Sequence, residues 1–207
     1  MKGSLAQGYE ETLVPNVYFD RNFDIEAAKL LPGEYCATRR NMLLVTVLGS
    51  CVAACIRDKN SAIGGMNHFM LPENLQEQGG WGSASTRYGT YAMEMLINQL
   101  LKLGAKRSNL EAKLFGGGAV IEKMSTINVG ERNAEFAKDY LKTEGIPVVA
   151  TDLLDIYPRK VYFFPQTGRV LVKKLHTLHN DTIIAREREY ISRLGAAKVA
   201  GDIDLFT

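Results

Sequence analysis

Two residues that can do chemistry together stand close in this sequence. Cys51 follows Gly49 and Ser50, and His68 comes 17 residues later as the only histidine in the first 175 positions. A neutral imidazole beside a thiol can accept its proton and generate the thiolate that attacks a carbonyl carbon. The pair therefore indicates a cysteine-nucleophile hydrolase, and it predicts a thiol pKa below the ordinary value.

Two other interpretations of these residues stay open. Free cysteine is among the most often buried residue types, so Cys51 and Cys55 can simply belong to the core, and a lone histidine is commonly structural. Cys51, Cys55 and His68 can also be three zinc ligands. On an extended strand, however, the two sulfurs would lie roughly 13 Å apart, too far to share one ion without a bend.

The chain around the pair reads as a β-hairpin. Residues 35–57 form a β-like run, residues 58–60 are the turn cluster Asp-Lys-Asn, and a second apolar run ends at Pro72. This order predicts two buried strands side by side, with Cys51 on one and His68 on the other.

Glycines flank both candidate residues. Gly49 and the pair Gly64–Gly65 give the backbone the freedom to let main-chain N–H groups face a developing oxyanion. The triplet 116–118 lacks the Gly-Lys-Ser/Thr sequence of a phosphate-binding loop, which argues against a nucleotide site. We expect it to allow tight backbone packing near the site.

The remaining chain alternates helices and strands, which predicts an α/β fold with helices on one side of a sheet. Apolar periodicity predicts helices over 87–104 and 131–145, strands over 110–115 and 146–155, a hairpin over 160–175 and a helix from 181. We divide the chain into an N-terminal arm (1–24), a catalytic domain (25–180) and a C-terminal helical extension (181–207).

Composition narrows the class of protein. A net charge of +2 gives no indication of nucleic-acid binding, and no apolar run approaches the roughly 20 residues that span a bilayer. The N-terminus lacks the apolar segment of a secretory signal, and three cysteines do not make a disulfide framework. These features predict a cytoplasmic protein that does not insert into membranes.

Several motifs together resemble one family, the chemoreceptor glutamine deamidases called CheD. They are VTVLGSCVAACIRD, IGGMNHFMLP, RYG, LEAKLFGGGAV and NVGERNAEFAKDYL, spread from about residue 41 to about residue 175. The resemblance implies hydrolysis of glutamine side-chain amides on methyl-accepting chemotaxis receptors, whose substrate glutamines lie on long cytoplasmic helices. It also implies a three-layer α/β/β sandwich and a mechanism that requires no metal or organic cofactor.

The resemblance further assigns a catalytic set of Cys, His and Thr. Cysteine and histidine correspond to Cys51 and His68. The family threonine stands six positions before the cysteine, where this chain has Val45, and Thr46 follows one position later. Because a one-residue shift in a strand turns a side chain to the other face, a bulge is needed to make Thr46 equivalent. We nevertheless predict Thr46 as the third member.

Alternative functions accompany the deamidase prediction. The chain can be a binding module for a CheC-type chemotaxis phosphatase or for the receptor, with or without catalysis, or it can hydrolyse γ-glutamyl methyl esters. For a substrate on a helical rod we expect a shallow, open mouth, with Trp81 and Arg87 near one wall.

Overall fold

The computed structural model describes residues 16–72, 84–120, 129–176 and 181–196. In these ranges ten strands form two five-stranded sheets. The strands are β1 (Asn16–Asp20), β2 (Ile25–Lys29), β3 (Tyr35–Thr38), β4 (Leu43–Leu48), β5 (Val52–Asp58), β6 (Gly64–Asn67), β7 (Leu110–Gly116), β8 (Val148–Leu153), β9 (Arg159–Phe164) and β10 (Arg169–Lys174).

Both sheets are mixed. The first has the order β1-β2-β4-β9-β10 and the second the order β3-β6-β5-β7-β8. Only the β2–β4 and β7–β8 pairs are parallel among the paired strands described. Since β7 and β8 are joined through a helix, this second pair is a standard crossover unit.

Three α-helices complete the described fold: α1 (Ala84–Lys102), α2 (Val129–Thr143) and α3 (Asp181–Ala196). The apolar faces of α1 and α2 pack on one face of the second sheet, and the other face of that sheet packs on the first sheet. Left-handed glycines at 104 and 145 follow the ends of α1 and α2. The predicted three-layer α/β/β sandwich with two helices on one side is confirmed.

The β-like run at 35–57 is not one strand. It comprises β3, β4 and β5, and the chain crosses from the first sheet to the second between Leu48 and Val52. The crossing segment is Gly49-Ser50-Cys51, which we call the nucleophile turn. The candidate nucleophile thus lies where the two sheets meet.

The described part of the predicted N-terminal arm contains a strand. Residues 16–20 form β1, which pairs with β2 at the edge of the first sheet, so a strand begins inside the range assigned to an arm. At the other end of the chain a helix is present over 181–196, as the sequence predicts. None of the helices described is long and apolar enough to cross a membrane.

Candidate active site

Cys51 and His68 lie on adjoining backbone segments. Val52 and Phe69 exchange two backbone hydrogen bonds of 2.9 Å each, which extends the β5–β6 pairing past the end of β6. In this antiparallel register Cys51 and His68 are diagonal neighbours on the same face, a separation of roughly 7–8 Å between Cα atoms that two side chains can bridge. That face points to the first sheet. The predicted hairpin is confirmed as the β5–β6 pair, but Cys51 precedes β5 and His68 follows β6, so neither lies within a strand.

Thr46 meets His68 from the opposite sheet. Its hydroxyl lies 2.8 Å from His68 Nδ1 and donates to the backbone oxygen of Leu30 at 2.9 Å. Because the hydroxyl proton is used on Leu30, its lone pair accepts from an Nδ1–H group. Val45, which holds the family position of the threonine, packs instead in the cluster on the outer face of the first sheet. No bulge is needed to bring Thr46 inward.

This network fixes the tautomer of His68. With Nδ1 protonated, Nε2 carries the free lone pair, and it is buried without a hydrogen-bond partner among the described residues. Burial lowers the pKa of His68 to about 3, only partly offset by the carbonyl of Leu30. At neutral pH the ring is therefore an uncharged base with an unused acceptor.

The nucleophile turn is held from inside the molecule by its carbonyl groups. In chain order its three oxygens accept hydrogen bonds from the backbone N–H of Gly118, the side-chain amide of Asn133 and the backbone N–H of Gly117, at 2.8, 2.8 and 2.7 Å. A Cβ on Gly116, where φ is +109°, would lie 2.2 Å from the oxygen of Cys51. The glycine triplet therefore allows close backbone packing under the site, as the sequence indicates.

The three N–H groups of the turn point the other way and converge on one carboxylate. In chain order they donate to Glu187 of α3 at 3.0, 3.0 and 3.2 Å, and the Ser50 hydroxyl donates to the same side chain at 2.5 Å. Oε1 accepts from the first and third N–H groups, and Oε2 accepts from Ser50. Successive N–H groups arranged in this way form an anion-binding concavity of the kind that stabilises an oxyanion.

The predicted low pKa of the thiol is wrong for this arrangement. Burial raises the pKa of Cys51 well above its usual value, and the negative charge and hydrogen bonding of Glu187 raise it further. The side chain is 0% exposed, so the described residues leave no open mouth above the thiol. The carboxylate comes from the C-terminal helix, 136 residues away from the cysteine in the chain.

The structure also bears on the zinc alternative, on the predicted glycines and on the predicted wall of the site. The described residues contain no group of three His, Cys, Asp or Glu side chains placed to hold a metal ion. Gly65 serves close packing, since a Cβ there would lie 2.5 Å from the oxygen of Cys36, and it takes no part in the anion-binding turn. Arg87 is exposed near the start of α1, and Trp81 lies outside the described residues.

Sequence reasoning missed two residues that contact the nucleophile turn. Asn133 accepts from the backbone N–H of Leu71 and donates to Ser50, and it is fully buried on α2. Glu187 is 2% exposed on α3. The available signal was position: each is a single polar residue on the apolar face of its helix, Glu187 lying in one stripe with Ile183, Tyr190 and Ile191.

Comparison with known proteins gives one consistent family. A family profile described as CheD chemotactic sensory transduction matches residues 70–174. A protein of Thiobacillus denitrificans named probable chemoreceptor glutamine deamidase CheD is 65% identical, covering 95% of this chain and 98% of its own. Two proteins with the same description, from Methylobacillus flagellatus and Dechloromonas aromatica, are each 63% identical over 98% of this chain and 100% of theirs. These full-length matches include α3.

Proposed function

This chain belongs to the CheD family, and we propose that it is a protein-glutamine deamidase acting on methyl-accepting chemotaxis receptors in the cytoplasm. Relatives at 63–65% identity carry the name of a chemoreceptor glutamine deamidase and match nearly the whole chain. The motif resemblance implies the same family. The observation that carries the catalytic part of the proposal is the unpartnered Nε2 of His68 on the face that also holds Cys51.

The proposed first step is thioester formation. His68 Nε2 takes the proton of the Cys51 thiol as the sulfur attacks the side-chain carbonyl carbon of a substrate glutamine. Negative charge then develops on the carbonyl oxygen, which accepts hydrogen bonds from the N–H groups of the nucleophile turn. The resulting imidazolium ion protonates the departing nitrogen, so ammonia leaves and a γ-glutamyl thioester remains.

The second step regenerates the thiol. His68, again neutral, removes a proton from a water molecule that attacks the thioester carbon, and the sulfur leaves with that proton. The product is a glutamate side chain. Thr46 contributes by holding Nδ1–H, so that Nε2 always faces the sulfur side of the ring. We therefore assign Cys51 as nucleophile, His68 as general base and acid, and Thr46 as the positioning residue.

The chain offers a matched test of the nucleophile. Cys51 and Cys55 lie in the same buried cluster between the sheets, and both are free thiols. The wild type, Cys51→Ala and Cys55→Ala are incubated with a receptor cytoplasmic fragment, and its peptides are identified by mass spectrometry. We expect Gln-to-Glu conversion with the wild type and Cys55→Ala, and none with Cys51→Ala.

The same measurement separates the competing functions. Loss of a methyl group from the receptor would indicate esterase activity, and an unchanged receptor that binds the protein would indicate a binding module. Full conversion by Cys51→Ala would overturn the nucleophile assignment.

A CheC-type phosphatase is the second proposed partner. Its support is family membership, and nothing in the site requires it. Co-elution of this protein with such a phosphatase at micromolar concentration would support the pairing, and independent elution would remove it from the proposal.

A further inference from the structure

One acidic side chain fills the whole anion-binding surface of the nucleophile turn. Glu187 accepts hydrogen bonds from all three N–H groups and from the Ser50 hydroxyl. Its negative charge also raises the pKa of the Cys51 thiol. A glutamate side chain is the product of the proposed reaction. It occupies the place where that reaction would leave its product: on the oxyanion donors, beside the sulfur.

The helix that carries Glu187 meets the site through a narrow stripe. Counting from Glu187, the contacting residues are Ile183 at −4, Tyr190 at +3 and Ile191 at +4, which share one helix face. Ile183 lines a cavity together with His68 and Pro32. Tyr190 and Ile191 pack on the edge of the core cluster between the sheets.

A glycine makes room for the aromatic member of this stripe. A Cβ on Gly33 would lie 2.8 Å from the hydroxyl oxygen of Tyr190, and Gly33 has a φ of +87°. On the other side the hydroxyl of Tyr190 forms a hydrogen bond with that of Tyr88 on α1. The groove under α3 thus has two further sites beside the one for the carboxylate. An apolar pocket holds Ile183 on the N-terminal side of Glu187, and an aromatic site holds Tyr190 on its C-terminal side.

The helix α3 is attached to the rest of the protein mainly through one side chain, as a bound ligand would be, and not through a broad apolar face. Among the α3 residues whose burial is described, Glu187 is the only buried one. In the same conformation the Cys51 thiol is 0% exposed, so a receptor glutamine cannot reach it.

We propose that α3 is an internal product mimic that occupies the groove where a receptor helix binds. This inference rests on the proposed deamidase function and adds two statements to it. The substrate is a helix that presents glutamine at the position of Glu187, with an apolar residue four positions before it and an aromatic or apolar residue three or four positions after it. The helix α3 competes with this substrate and holds the enzyme closed.

The substitution Glu187→Gln turns the mimic into a substrate. The carboxamide of residue 187 then stands beside the thiol with its carbonyl oxygen on the N–H groups of Gly49 and Cys51. Sulfur displaces ammonia to give an intramolecular thioester, and water hydrolyses this thioester to a glutamate side chain and a free thiol. Purified Glu187→Gln protein is therefore expected to contain glutamate at 187, with conversion independent of protein concentration.

Two matched variants and one external assay accompany this measurement. In Glu187→Gln combined with Cys51→Ala, mass spectrometry should find glutamine at 187. Glu189 lies two positions along the same helix but is exposed, so Glu189→Gln should keep its glutamine. Wild-type activity on a receptor fragment is measured in parallel.

Each outcome decides between the two proposals. Conversion at 187 that requires Cys51 supports the product mimic. If glutamine persists at 187 while the wild type converts receptor glutamines, the mimic is overturned and the deamidase stands. If neither glutamine is converted, the deamidase function fails and the mimic fails with it. Conversion that continues without Cys51 also overturns the mimic.

Discussion

Two helices contact the nucleophile turn through one polar side chain each, and they do so in opposite ways. Asn133 of α2 binds the carbonyl of Ser50 from inside, within a helix whose buried residues are Gly130, Asn133, Ala134, Ala137, Tyr140 and Leu141. Glu187 of α3 binds the N–H groups from outside, and its helix contributes little else to the core. The first contact builds the turn, whereas the second occupies it.

The difference has a functional meaning. A turn whose carbonyls are fixed inside keeps its N–H groups aimed outward whether or not α3 is present, so the oxyanion donors are preorganised. A helix with a single buried side chain among those described can leave at modest cost. The stability of the site therefore depends on α2 and its accessibility on α3. A variant can change one of these properties without changing the other.

The largest difference between variants of the two contacts is expected in the free energy of unfolding. Asn133→Ala leaves the Ser50 carbonyl and the Leu71 N–H buried without partners, which should lower the free energy of unfolding by about 3 kcal/mol. Glu187→Ala should lower it by no more than about 1 kcal/mol, because water can replace the lost carboxylate. Urea denaturation of both variants measures the difference. Equal losses would mean that α3 is a permanent part of the core.

The next largest effect is expected on kcat, through the orientation of the general base His68. Thr46→Val removes the group that holds Nδ1–H, so kcat on a receptor fragment should fall about 30-fold through loss of general-base efficiency. Thr38→Val is the control, since Thr38 is also buried but its hydroxyl accepts from Arg40, away from the site. Similar losses in both variants would refute a positioning role for Thr46.

The free energy of unfolding should also depend on pH through His68. The folded pKa of His68 is about 3, below the ordinary 6.5, so the unfolded chain binds a proton that the folded protein does not as pH falls below 6.5. From pH 7 to pH 5 this group should remove about 2 kcal/mol from the free energy of unfolding.

Denaturation at the two pH values tests this linkage with two variants. His68→Gln should lose the pH dependence, whereas the exposed-site control His176→Gln should keep it. A dependence that survives in His68→Gln would assign it to other groups.

A smaller effect is expected on thiol reactivity. Glu187→Ala removes the cover and the negative charge that raise the pKa of Cys51, so alkylation by iodoacetamide at neutral pH should become about tenfold faster. The buried Cys36 and Cys55 should stay unmodified, and Glu189→Ala should react like the wild type. Peptide mass spectrometry over time gives the rates. An unchanged Cys51 rate in Glu187→Ala would show that α3 does not protect the thiol.

Local sequence signals are sufficient to predict much of the secondary structure of this protein. The periodicity of 87–104 and 131–145 predicted α1 and α2, and the turn at 58–60 predicted that Cys51 and His68 would lie on neighbouring segments. These predictions succeed because each depends on residues close together in the chain. The family motifs supplied the two-sheet architecture.

What the sequence did not predict depends on contacts between distant segments. Glu187 is separated from Cys51 by 136 residues and binds main-chain N–H groups, which any residue type can supply. The side of the strand on which Thr46 points was likewise decided by the pairing of β4 with β9, not by its distance from the cysteine. The raised pKa of Cys51 follows from burial under α3, which no local pattern reveals.

The rate of receptor deamidation in Glu187→Ala tests most directly whether α3 closes a complete site. Conversion of receptor glutamine is followed by mass spectrometry for the wild type, Glu187→Ala and Glu189→Ala at one enzyme concentration. The account predicts conversion about tenfold faster with Glu187→Ala, because the open form is no longer a minor population, and an unchanged rate with Glu189→Ala. A rate for Glu187→Ala equal to or below that of the wild type would contradict it.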